Sequence, residues 1–245
     1  MKKQRIPFFK RIGVKRFLFI IVRVIVISII SLSLAFIPFT DNDEQRSRLI
    51  FNALMAFVLL MLSLLPSIME KTWKIEIPSF MEVIFLIFST LAFLFGEIAD
   101  FYIEYTWWDS MLHTLTGAAI ACLGFTIINF VNDNKSFSSF HLGPVFACIF
   151  VLCFSLSCGV VWEMIEWLAD TINGTNMQRY MDSATGITYE GRRALLDTMK
   201  DLFLDGLGAV VITILGYIDI KLHNGRVIEI FKVEKLKQDN KNTGE

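Results

Sequence analysis

Ten of the 24 acidic residues gather at the ends of apolar stretches: Glu97, Asp100, Glu104, Asp109, Glu163, Glu166, Asp170, Asp197, Asp201 and Asp205. Their spacings are helical. Asp197, Asp201 and Asp205 recur every fourth residue and share one helix face, and Asp109 stands four residues before His113. Glu163 and Glu166 are three apart, and Glu166 and Asp170 four. Like charges so spaced repel on an isolated helix, and an ionised group at mid-bilayer costs about 3 kcal/mol on the insertion scale. Compensation must come from a bound cation, from shared protons, or from Lys200, Arg192 and Arg193 folding over the cluster. Carboxylates alone suit Mg, Ca or Mn, and adding His113 admits Zn or Fe. The candidate ligands of a divalent metal are therefore His113, Glu163, Glu166, Asp197, Asp201, Asp205 and Asp109. In an enzymatic version the metal polarises a phosphoryl or carbonyl group, and Glu163 or Glu166 is the candidate catalytic base.

Plainer roles compete for some of these residues. An aspartate opening a helix caps free N–H groups and favours the macrodipole, which suits Asp109 and Asp197. Glu97, Glu104 and Asp170 read as rim residues in headgroup water. Asp201, Asp205, Glu163 and Glu166 lie inside apolar stretches, and the last two close a helix, where acid opposes the dipole. Trp107, Trp108, Trp162, Trp167, Tyr102 and Tyr105 stand at the same level. An aromatic belt accounts for them, with a lipid-headgroup or sugar platform as the sharper alternative. The four cysteines, Cys122, Cys148, Cys153 and Cys158, form no CxxC pair and read as small packing residues.

The elements that position these groups follow from composition. Of 245 residues, 54% are AVILMFWYC and only 19% are charged, with a mean hydropathy of +0.56. One compact core could not hide this excess, which argues against an ordinary soluble enzyme and against a disordered chain. Six stretches are long enough to span a bilayer: Phe17–Phe39, Leu49–Met69, Phe80–Tyr102, Ser110–Val131, Leu142–Leu168 and Thr198–Ile220. Helices satisfy their own backbone hydrogen bonds in lipid, so the expected fold is an all-α polytopic helix bundle. Residues 1–16 form a basic leader, 17–220 the six-helix domain with an outer loop at 170–197, and 221–245 a basic tail. The first apolar run is too long for a signal peptide core and reads as a retained anchor. Arg23, two turns inside it, is expected to snorkel to the headgroups.

The leader carries seven basic residues and no acid, and the tail carries Lys221, Arg226, Lys232, Lys235, Lys237 and Lys241. The positive-inside bias then places both termini in the cytoplasm and the acidic ends outside, in a plasma (inner) membrane. The expected partners are the bilayer and, at the basic termini, anionic lipid headgroups. Nucleic acid is a poor fit, because Glu229, Glu234 and Asp239 interrupt the tail.

Two further patterns stand out. Glu97-x-x-Asp100-Phe101-x-x-Glu104 and Glu163-x-x-Glu166-Trp167-x-x-Asp170 repeat acid, acid, aromatic and acid at equal offsets, which suggests two duplicated hairpins. Gly117 and Ala118, with Gly206, Gly208 and Ala209, would let the fourth and sixth spans approach closely. That contact would bring His113 and Asp201 together.

Asp109-x-x-x-His113 with Gly117, Trp162-Glu163-x-x-Glu166-Trp167, and Asp197-Thr198-x-Lys200-Asp201 with Gly208-Ala209 resemble motifs of the YjdF-like bacterial inner-membrane proteins. More distantly they resemble the VanZ-like proteins linked with glycopeptide tolerance. The resemblance covers about 97–215 and implies a multi-pass envelope protein with no established reaction. Ala184-Thr185-Gly186 and Arg192-Arg193 depart from the pattern. There is no G-x-S-x-G and no P-loop, so neither a serine nucleophile nor ATP-driven work is expected. Three readings stay open: a cation site serving envelope-lipid chemistry or sensing, a small proton- or cation-coupled transporter, and a non-catalytic envelope interaction protein.

Overall fold

A computed structural model describes residues 13–73, 75–133, 142–182, 185–223 and 234–235. The basic leader up to residue 12 and nearly all of the tail lie outside these residues, and with them the contacts expected with anionic headgroups. The described residues form seven α-helices: α1 (Val14–Phe36), α2 (Asp43–Trp73), α3 (Ser79–Ser89), α4 (Phe101–Glu104), α5 (Trp108–Asp133), α6 (Pro144–Asn173) and α7 (Leu196–His223). Extended pairing among them is confined to Ile75–Glu76 with Glu234–Lys235 and a single bridge between Met181 and Thr188. Six helical segments are long and apolar enough to cross a membrane: Val14–Phe39, Asp43–Trp73, Ser79–Ile98, Trp108–Asn132, Pro144–Ile172 and Leu196–Leu222.

Local chemistry sets the helix ends. The α2 helix starts six residues before the apolar run because the Asn42 side chain accepts hydrogen bonds from the Glu44 and Gln45 N–H groups. The α6 helix opens on Pro144, whose missing N–H costs nothing at a first turn. It runs on to Asn173, past the expected end at Leu168, and stops at Gly174, whose φ of 64° and N–H bond to the Asp170 carbonyl form a left-handed cap. The third span is shorter than its hydropathy suggests. After Ser89 it widens into π-helical turns over Thr90–Ile98, closed by the Ala99 N–H on the Leu94 carbonyl, and Asp100 then turns left-handed at φ 61°.

The chain divides into two compact units, Met1–Tyr105 with Val233–Glu245, and Thr106–Lys232. In the first unit, Phe19, Val22 and Val26 of α1 pack on Ala56 and Leu59 of α2 and on Leu86 of α3. Its charged groups are tied within it. Arg23 of α1 binds across to α2. Its Nε donates to Ser63 Oγ at 3.1 Å and its Nη2 to the Ser63 carbonyl at 2.7 Å, in the turn that Pro66 interrupts. A proline inside a helix withdraws an N–H, here the one that would meet the Leu62 carbonyl, and crowds the preceding turn; the guanidinium binds the neighbouring Ser63. Buried Glu82 pairs with Lys15. Arg48 donates to the carbonyls of Glu97 and Ile98 and pairs with Asp100, closing the π-helical end.

In the second unit, α5, α6 and α7 surround a core of Ala121, Phe125 and Ile128, Ala147 and Val151, and Ala209. Along α6 the buried positions read Ala147, Val151, Ser155, Gly159, Glu163, Glu166 and Asp170. One helical stripe therefore changes from apolar to acidic toward the end at which α6 stops and α5 and α7 begin.

Candidate functional site

Close approach of α5 and α7 builds the site. A Cβ on Gly117 would sit 2.0 Å from the Asp205 carbonyl oxygen, and one on Gly208 2.1 Å from that of Thr114. Both helices are thus in backbone contact, as their small residues predict. The α6 helix closes the third side. Ser155 Oγ donates to the Gly117 carbonyl at 2.9 Å, and a Cβ on Gly159 would lie 2.5 Å from Asp205 Oδ2. Only glycine at 159 leaves room for that carboxylate.

His113 lies at the centre, 6% exposed. Its Nδ1 is 3.3 Å from Asp205 Oδ2 and its Nε2 is 3.7 Å from Asp109 Oδ1. Asp109, His113 and Asp201 each present a ligand atom within 4.8 Å of the others. Asp201 and Asp205 are 1% and 2% exposed. Asp197, one turn before Asp201, meets Lys200 Nζ at 3.1 Å, and the same ammonium lies 3.5 Å from Asp201 Oδ1. Glu163 accepts from Gln178 Nε2 at 3.4 Å, while Glu166 is held at 2.7 Å by the Trp162 indole N–H.

The stretch after α6 folds back as a lid. Both Asp170 oxygens hold it, accepting from Thr175 Oγ1 at 2.6 Å, the Met177 N–H at 2.7 Å and the Gln178 N–H at 3.0 Å. Gln178 Nε2 also reaches Thr198 Oγ1. Arg179, at φ 46°, places Nη2 3.5 Å from Asp109 Oδ2 and Nε 3.9 Å from Asp197 Oδ2. The Tyr189 N–H bonds to the Tyr180 carbonyl, joining the return stretch to the first.

All seven residues expected to ligate lie in this one unit, at different distances from its centre. Asp109, His113 and Asp201 form the tight set, and Asp205 touches His113. Asp197 is joined to the set through Arg179 and Lys200. Glu163 and Glu166 line the α6 side. Of the three basic residues expected to cover the acids, only Lys200 does so. Arg193 stacks on the Tyr189 ring at 3.8 Å and Arg192 is exposed, and Arg179 takes their place. No spacing rule points to Arg179, whose left-handed backbone in a long loop brings it over the site. Asp170 is no rim residue, being buried and anchoring the lid. The duplicated-hairpin pattern loses its basis. Glu97 through Glu104 straddle a π-helical end and a left-handed break, whereas Glu163 through Asp170 lie in one unbroken helix.

The donor set fits a hard or borderline cation. Among the described residues of the cluster, Arg179 pairs with Asp109 and Asp197 and Lys200 with Asp197 and Asp201, while the imidazole of His113 meets Asp109 and Asp205. Among the described residues, the buried oxygens Glu163 Oε1 and Asp205 Oδ1 have no hydrogen-bond partner. A buried oxygen left so forfeits its solvation without return.

Six membrane-length helices and a buried polar cluster define a multi-pass membrane protein. The chain belongs to the family described as a predicted membrane protein family, DUF2238, whose model matches residues 18–221. No curated protein and no solved structure matches it.

Proposed function

We propose that the α5–α7 unit is a cation-binding module, taking one divalent ion on Asp109, His113 and Asp201 with Asp205 orienting the imidazole. The observation that carries this reading is the convergence of three buried donors from two helices within 4.8 Å of one another. An imidazole beside carboxylates suits Mn, Fe or Zn better than Ca. Asp205 on Nδ1 would leave Nε2 for the ion, the usual carboxylate–histidine–metal arrangement. If the module performs envelope-lipid chemistry, Glu163 is the better base of the two glutamates, because the Trp162 indole occupies Glu166. The basic leader supports a plasma membrane location with both ends cytoplasmic and the site facing out.

The test is metal content of detergent-purified protein, with Mn²⁺ and Zn²⁺ re-added to chelated samples. Wild type is expected to hold one ion per chain. His113→Ala and Asp201→Asn are each expected to weaken binding at least about 100-fold, the upper range for losing even an outer-shell partner. Wild-type protein that holds no ion under any of these conditions, or variants that bind as wild type does, would rule the reading out. Cation uptake into proteoliposomes, abolished by both changes, would instead favour a transporter.

A further inference from the structure

The proposed cation site comes with its own competitor. We infer that Arg179 is a built-in counter-cation, so that metal loading and seating of the lid (Gly174–Asp182 with the return stretch 185–193) are opposed. This rests on the cation-site reading and adds its regulation. Three observations carry it.

First, the lid enters the site as a cation. Arg179 faces Asp109 Oδ2 while His113 faces Asp109 Oδ1, so guanidinium and imidazole divide one carboxylate of the metal set. An ion on Asp109 would stand within a few ångströms of that guanidinium in a buried pocket, where like charges repel strongly. Second, the arginine is held in a strained backbone, with φ at 46° where it meets Asp109 and Asp197. Leaving would relieve a conformation that a non-glycine residue rarely adopts. Third, the acids are not satisfied by the lid. Asp205 Oδ1 and Glu163 Oε1, on side chains more than nine-tenths buried, still lack hydrogen-bond partners among the described residues. A second cation therefore has buried donors to meet that Arg179 does not reach.

Linkage makes the coupling reciprocal: whatever factor Arg179 subtracts from metal affinity, the metal subtracts from lid closure. The lid would then report external cation by opening, with Gln178 and Arg179 withdrawing together from Glu163 and Asp109.

The experiment uses the full chain in detergent with Mn²⁺ as probe, in wild type, Arg179→Asn and Arg179→Lys. Asparagine tolerates the left-handed backbone, and lysine keeps the charge without the fork that spans two carboxylates. Mn²⁺ affinity is read by equilibrium dialysis and the lid by hydrogen–deuterium exchange of peptides covering 175–182 and 185–193. Arg179→Asn is expected to bind Mn²⁺ at least about fivefold more tightly, the low end of ordinary coupling. Its lid should exchange fast with or without metal, and Arg179→Lys should fall between it and wild type. In wild type, Mn²⁺ should raise lid exchange. Equal affinity in all three proteins, weaker binding in Arg179→Asn, or a lid that Mn²⁺ protects would each overturn the coupling and leave the cation site standing. Absence of Mn²⁺ binding in all three proteins would remove both.

Discussion

Gly208→Ala should lower the melting temperature of the detergent-solubilised protein by about 6–12 °C, and Gly208→Leu should leave no folded α5–α7 unit. The added Cβ would lie 2.1 Å from the Thr114 carbonyl oxygen and 2.9 Å from the Ala118 nitrogen. Both are backbone atoms and cannot rotate aside, so the helices must part. Overpacking of this kind costs about 3 kcal/mol, which in a chain of this size corresponds to the stated shift. The same separation would draw Asp205 from His113, so metal binding should fall with stability. Gly206→Ala is the control. Its Cβ would meet only Leu156 Cδ2 at 3.1 Å, the end of a flexible side chain. A melt monitored by tryptophan fluorescence distinguishes them, and a Gly208→Ala protein as stable as Gly206→Ala would show that α5 and α7 are not in backbone contact.

The second large effect is expected in the other unit. Glu82 is 3% exposed and has Lys15 as its ion-pair partner. Lys15→Met leaves that buried carboxylate without its ion-pair partner. Removing one partner of a buried pair costs about 3–5 kcal/mol, while replacing both by apolar groups is often neutral or better. Lys15 is about one-third exposed, so the lower figure applies. The double variant Lys15→Met/Glu82→Leu should recover wild-type stability or exceed it. If the single change leaves the melt unmoved, the pair contributes nothing and Glu82 must be satisfied otherwise.

These two sites differ in how visible they are before folding. Gly117, Gly208 and Ala209 mark close helix contact in any apolar stretch, because only small residues let backbones touch. Lys15 and Glu82 are 67 residues apart and no pattern joins them. The same contrast runs through the candidate site. Asp197, Asp201 and Asp205 declare their shared face by a four-residue period. That Asp201 joins His113 and Asp109, while Asp197 turns to Arg179 and Lys200, depends on how α7 rotates against α5.

Composition and periodicity by themselves determine a six-span α-helical membrane protein with acids massed at the ends of four spans. Both follow from one-dimensional facts, the length a bilayer demands and the angle per residue in a helix. Tertiary structure alone decided that Arg23 binds Ser63, that the third span ends in π-helical turns locked by Arg48, and that Arg179, not Arg192 or Arg193, covers the acids. Each of these turns on a long side chain choosing among distant acceptors. Such choices are made by three-dimensional distance, and no spacing along the chain encodes them.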